Sequence, residues 1–231
     1  MSLALRIASG LVGGGEIEFV GSYSTVSGVA VPNMPLPYDG NLTGGISSNV
    51  RVGDFVVVLA AATTASDATL GCSTSGFTSM GELYYNAVAD ANLEAFYKTM
   101  GDAPDTTATI TSTPDVFLRG TVSVWRGVHR TDPLDSVTPT TATGTTGRPD
   151  PASITPNTKG AAVCVAAMCA GDGDSTAMAS SDLLDFQEAG NTFSRTATGA
   201  IYDWVSGAVN PAAFTAGATD VNNSFAAITF V

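Results

Sequence analysis

In segment after segment, apolar and polar positions alternate with the two-residue period of β-strands. In Gly14–Tyr23, Ile17 and Phe19 alternate with Glu16 and Glu18, the pattern of a half-buried strand. Gly53-Asp54 is a turn, and the continuous apolar run Phe55–Ala62 behind it predicts a strand buried on both faces. Leu93–Met100 alternates again. Leu118–Val128 carries Val122, Val124 and Trp125 and ends at Arg126-Gly127, and Ala161–Ala170 is a second continuous buried run. Thr198–Val205 and Phe225–Val231 complete the predicted strands. Between them lie turns rich in Gly, Pro, Asp, Asn, Ser and Thr, the longest being Arg130–Pro156, which reads as an extended surface excursion. Helix is confined to a turn around Ala87–Asn92.

The strand pattern repeats weakly. Gly53 opens a buried run, Tyr97 follows 44 residues later, and Trp125 lies 28 beyond that; Gly160, Tyr202 and Phe230 repeat the series at intervals of 42 and 28. The spacing points to a duplicated strand set of about one hundred residues per copy. Either residues 51–130 and 157–231 form two small sandwiches joined by the Thr/Pro-rich connection, or both halves belong to one jelly-roll-like antiparallel β-sandwich over residues 51–231. The second is favoured, because each half alone supplies only about four good strands. Residues 1–50 then contribute edge strands or an arm. In their first part Leu3, Leu5, Ile7 and Leu11 alternate as a strand would. This segment is expected to add to a sheet edge of its own subunit or of a neighbour, which makes Leu3, Leu5 and Ile7 interface candidates.

Composition supports an all-β chain and narrows its partners. The 231 residues are 44% hydrophobic and only 13% charged. The supply of Glu, Lys and Leu is too small for long amphipathic helices. Nine basic residues against 21 acidic ones leave a net charge of −12 and a pI near 4.1. Such a chain is repelled by phosphate backbones and by anionic bilayers, which argues against nucleic-acid and membrane partners. Met1–Val12 shows no basic segment followed by a long apolar one, and Phe55–Ala62, at eight residues, is far short of the roughly 20 needed to cross a bilayer. A product made in the cytoplasm is the expectation.

The chemistry on offer is sparse. His129 is the single histidine, so any imidazole chemistry must use it. Cys72, Cys164 and Cys169 lack zinc-ligand spacing. Cys164 and Cys169 would face opposite sides of one strand and could not pair with each other; small buried core residues are expected, with a cross-link through Cys72 as the alternative. A glycosidase would need two carboxylates about 5–10 Å apart, and Glu82, Asp90, Glu94, Asp182, Asp185 and Glu188 are the acids available, although most flank turns, where acids solubilise. Asp172 and Asp174 in Gly171-Asp-Gly-Asp-Ser could offer oxygens to calcium, but the segment reads equally as a hairpin turn; no cofactor is expected. Trp125, Trp204, Tyr84, Tyr85 and Tyr202 could stack on a surface glycan, against the plainer reading that both tryptophans are core. Arg126-Gly-Val-His-Arg130 concentrates positive charge. With Arg119 it could meet an acidic patch on a partner subunit, or its arginines could simply pair with Asp132 and Asp135.

Several of these segments together resemble a known group. Gly53-Asp54 before a buried strand, Phe96-Tyr97-Lys98 in the middle strand, and Val124-Trp-Arg-Gly-Val128 followed by Asp132-Pro133 form one set; Ser153-Ile-Thr-Pro156 before Lys159-Gly160 and a second apolar strand forms another. Over roughly residues 50–231 the chain is similar to β-sandwich structural proteins of tailed bacteriophages and prophages. It departs from them at Ser75-Gly76-Phe77, where a Gly-Trp is usual. The resemblance implies a non-enzymatic virion part and carries over no catalytic residues. Within a particle, an acidic sandwich best suits a decoration or cementing subunit on the capsid exterior, in contact with the major capsid protein and with further copies of itself. Tail, neck or fibre subunits are the alternatives, and a carbohydrate-binding module or adhesin is the alternative of another class.

Overall fold

A computed structural model describes residues 16–64, 67–85, 90–140, 149–170, 176–191, 193–215 and 222–230. Leu3, Leu5 and Ile7, and the calcium candidates Asp172 and Asp174, lie outside these residues. The described chain is all-β, twelve strands in two antiparallel sheets with no helix. In chain order the strands are β1 (Glu18–Val26), β2 (Val31–Leu36), β3 (Phe55–Thr64), β4 (Thr69–Cys72), β5 (Thr78–Tyr85), β6 (Asp90–Thr99), β7 (Ala108–Arg126), β8 (Leu134–Thr140), β9 (Ala162–Ala170), β10 (Leu184–Gly190), β11 (Ser194–Ile201) and β12 (Asn222–Phe230).

The two continuous apolar runs became the central strands, for the reason their composition suggests. In β3, Phe55, Val57, Leu59 and Ala61 face the other sheet, and Val56, Val58, Ala60 and Ala62 face outward into a second buried layer. β9 divides in the same way, Ala162, Cys164, Ala166 and Met168 inward and Val163, Val165, Ala167 and Cys169 outward. β3 lies between β7 and β6, and β9 between β11 and β12. The repeat seen in the sequence is therefore a shared three-strand unit, one per sheet. Connectivity is sequential: β1–β7 complete the first sheet before β8–β12 build the second, and the jelly-roll likeness lies in two packed antiparallel sheets.

Among the described residues an apolar layer covers the outer face of each sheet. The long β7 bends so that its first half pairs with β2 and β4, and Met34, Leu36, Tyr38, Leu70 and Ile110 close over the outer face of the first sheet. Ile154, Met178, Leu183 and Phe214 cover the second. The free edge of β1 is bonded by the following loop, with Ser22 and Thr43 exchanging backbone hydrogen bonds at 2.9 Å. Such cover protects an edge from pairing with foreign strands.

Two strand expectations change, and one peripheral strand carries prolines. Leu134–Thr140 belongs to the stretch read as a surface excursion, yet it is β8, paired with β12 at the border of the second sheet. Val31–Leu36 carries Pro32 and Pro35 and still forms β2; a peripheral strand tolerates proline because one side needs no ladder donors. Asp90–Asn92, expected in a helical turn, begins β6; the rest of that turn lies outside the described residues.

Candidate functional site

The sequence signature converges at one end of the sandwich, where β3 begins and β7 ends. Phe55 stands opposite Trp125 in the ladder, so Asp54 and Arg126, 72 residues apart, meet beside them. Asp54 is buried at 1% exposure. Its two oxygens accept from Arg126 Nε at 2.8 Å and Nη2 at 2.9 Å, and Oδ2 also accepts the Arg51 backbone N–H at 2.8 Å. This bidentate pairing holds the Arg126 guanidinium more firmly protonated than an ordinary arginine. Arg126 thus pairs with neither Asp132 nor Asp135, the partners nearest in sequence; Asp135 instead accepts from Asn157 and Thr158.

Around this pair lies an open cleft of about 590 Å³, lined by Arg51, Val52, Gly53, Asp54 and Arg126–Thr131. Gly53 has φ +86°, and a Cβ there would overlap the Arg130 guanidinium, which lies across it. Arg130 Nη2 donates to the Val52 carbonyl at 3.3 Å. Arg51, His129 and Arg130 are exposed, and among the described residues neither Arg51 nor Arg130 has a carboxylate partner. The His129 ring accepts the Asp132 backbone N–H at Nδ1, 3.2 Å away, which orients it within its own turn. The cleft therefore offers two guanidinium forks without carboxylate partners among the described residues, above an ion-paired floor, a set that recognises carboxylates or other planar oxyanions.

The other candidates are placed as follows. Arg119, expected to face a partner, is 2% exposed and turned between the sheets. It donates to the carbonyls of Ser194 (3.1 Å) and Phe117 (3.2 Å) and to Asn191 Oδ1 (3.0 Å), and burial pushes its pKa down to about 10. Glu82 and Glu94 stand directly opposite each other on β5 and β6. Both carboxyls are pushed above the usual carboxylate range, first by burial and then by a neighbouring acid, Asp67 for Glu82 and Glu82 for Glu94. Ser79 donates to Glu94. Of the remaining acids, Glu188 pairs with Arg195 at 2.7 Å, Asp182 accepts from Ser180 and from the Ala212 N–H, and Asp185 accepts from Tyr202. Asp90 opens β6. Glu94, Glu188, Asp182 and Asp185 are thus held in structural engagements.

Of the stacking candidates, Trp125 and Tyr202 are drawn into the core. Trp125 is 1% exposed and packs between Phe19 and Phe230, ring centroids 5.9 and 4.9 Å away. Tyr202 is half-buried against the same cluster. Trp204 is half-buried, its indole N–H donating to the Gly207 carbonyl at 2.8 Å. Tyr84 and Tyr85 lie on β5, but their side chains are outside the described set. The free thiols Cys164 and Cys169 are buried and on opposite faces of β9, and Cys72 is half-buried. Among the described residues no group of three or more His, Cys, Asp or Glu is placed to hold a metal ion, and no helix is long and apolar enough to cross a membrane.

Sequence reasoning found Arg126 and Arg130 but missed Arg51, Gly53 and Asp54 as parts of one site. The Gly53-Asp54 signal was visible as a turn; its partner was not, because strand register chose it. Comparison of the chain with family models, with curated proteins and with solved structures returns no match.

Proposed function

We propose that this protein is a non-enzymatic structural subunit of a bacteriophage particle, a decoration or cementing protein on the capsid exterior. The observation that carries the reading is the roofing of both sheets. Among the described residues apolar layers close the outer face of each sheet, leaving edges, loops and a charged cleft to meet a partner. The side chains best suited to catalysis or sugar stacking are mostly engaged inside the fold, as a scaffold requires. The aromatic-Arg-Gly-Val strand and the Gly-Asp turn, which carry the resemblance to phage β-sandwich proteins, are joined by the Asp54–Arg126 pair. A net charge of −12 suits a surface remote from packaged DNA. Quantitative proteomics of purified particles tests the proposal. A copy number near that of the major capsid protein is expected; a handful of copies moves the protein to the neck or tail, and absence from particles overturns the virion role.

A further inference from the structure

The cleft and one other feature share an unusual property: each carries charge that the chain does not neutralise for itself. Among the described residues Lys98, Arg126 and Arg195 have carboxylate partners, and Arg119 is buried among neutral acceptors. Arg51 and Arg130 remain exposed and unmatched in a chain whose acids outnumber its bases 21 to 9. Conversely, Glu82, Glu94 and Asp67 gather with no cation paired to them among the described residues. Glu82 faces Glu94 across the ladder, Asp67 follows the end of β3, and Asp67 and Glu82 are exposed. Burial first, and then the neighbouring acid, raises both glutamate pKa values.

The two features sit apart on the same sheet. Glu94 is level with Ala60, six residues beyond Asp54 along β3, which is about 20 Å of strand at roughly 3.3 Å per residue. A single molecule cannot bring them together. Two molecules can.

We propose that copies of this chain associate head to tail, the Arg51/Arg130 cleft of one receiving the Asp67/Glu82 carboxylates of the next. The inference rests on reading the chain as an assembled subunit. The cleft is prepared for such a guest. Arg130 is laid across Gly53 and tethered to the Val52 carbonyl, so less side-chain freedom is lost on binding. The Asp54–Arg126 pair fixes the floor, and guanidinium forks match carboxylates in a bidentate manner. The opposing net charge of two copies at −12 each is screened beyond about 8 Å at physiological ionic strength, so the local contact decides. A contact between two different patches is heterologous, and it closes into a ring or propagates along a lattice.

Sedimentation velocity of the full chain over a concentration series tests the contact, using two charge-reversed variants, R51E/R130E and D67K/E82K. The wild type is expected to self-associate, and each variant alone to associate at least tenfold more weakly. An equimolar mixture of the two variants is expected to recover association, since the acidic patch of R51E/R130E meets the intact cleft of D67K/E82K. Unchanged melting temperatures show that the variants fold, and R51Q/R130Q replaces R51E/R130E if it does not. A wild type that stays monomeric throughout, association indifferent to both variants, or a mixture that fails to pair overturns the proposal. A chain found in particles yet monomeric in solution overturns the head-to-tail contact while the virion role stands.

Discussion

The indole N–H of Trp125, at the end of β7 in the first sheet, donates to the Tyr202 hydroxyl at 3.0 Å, and the Tyr202 hydroxyl donates in turn to Asp185 Oδ2 at 2.7 Å. This relay ties the strand that ends in the cleft to the β10–β11 edge of the second sheet. Burial, followed by the hydrogen bond to Asp185, pushes the tyrosine pKa far above its usual value, so the hydroxyl stays a donor at all working pH values. Tyr202→Phe leaves a buried indole donor without its acceptor. The expected cost is about 1–3 kcal/mol, read as a lower urea midpoint with an unchanged slope.

Arg119 performs a similar task farther back along β7. Arg119→Ala would leave the Ser194 and Phe117 carbonyls without their side-chain donor. A loss of about 2–4 kcal/mol follows from the removed hydrogen bonds and packing. Arg119→Met restores only the packing and should recover part of it, as measured by equilibrium denaturation of the three proteins.

Glu94 makes stability depend on pH in a definite direction. Its carboxyl titrates higher in the folded than in the unfolded chain, chiefly through burial, so the folded state binds the extra proton and stability falls as pH rises through the interval just above the ordinary carboxylate range. Glu94→Gln removes that titration. The variant is expected to be the more stable protein at pH 7 and to lose its advantage as the solution is acidified; urea midpoints at pH 7 and pH 5 check both statements.

Thiol chemistry separates the three cysteines. Burial pushes Cys164 up to about 12, and its sulfur contacts the Thr198 hydroxyl; Cys169 is equally buried on the opposite face of β9. Cys72 is half-buried with a smaller rise. Titration of the native protein with a disulfide reagent at pH 8 should modify Cys72 alone, and the other two only after unfolding. Rapid native modification of all three would contradict this placement.

Gly53→Ala should disturb the cleft selectively. The residue sits at φ +86° and has no room for a Cβ beneath Arg130, so a destabilisation of about 1–3 kcal/mol is expected. The displaced guanidinium should also weaken binding of an acidic probe peptide, measured by fluorescence anisotropy.

What the sequence determined by itself is the class of the molecule and its central strands. An unbroken apolar run such as Phe55–Ala62 or Ala161–Ala170 must be buried on both faces wherever it lies, and the 28-residue spacing survived as the shared three-strand unit. These properties are local, set by burial free energy and the two-residue period. Tertiary structure alone decided which charges meet. The nearest acids in sequence to Arg126 are Asp132 and Asp135, yet the register that aligns Phe55 with Trp125 delivers Asp54 instead. The same register turns Arg119 inward, where the plain count of cations had suggested an exposed patch. Proline-bearing β2 and β8 became strands because they lie at the margins of their sheets, where a missing donor costs little. Partner choice across 70 or more residues depends on how two sheets align, and no local pattern encodes it.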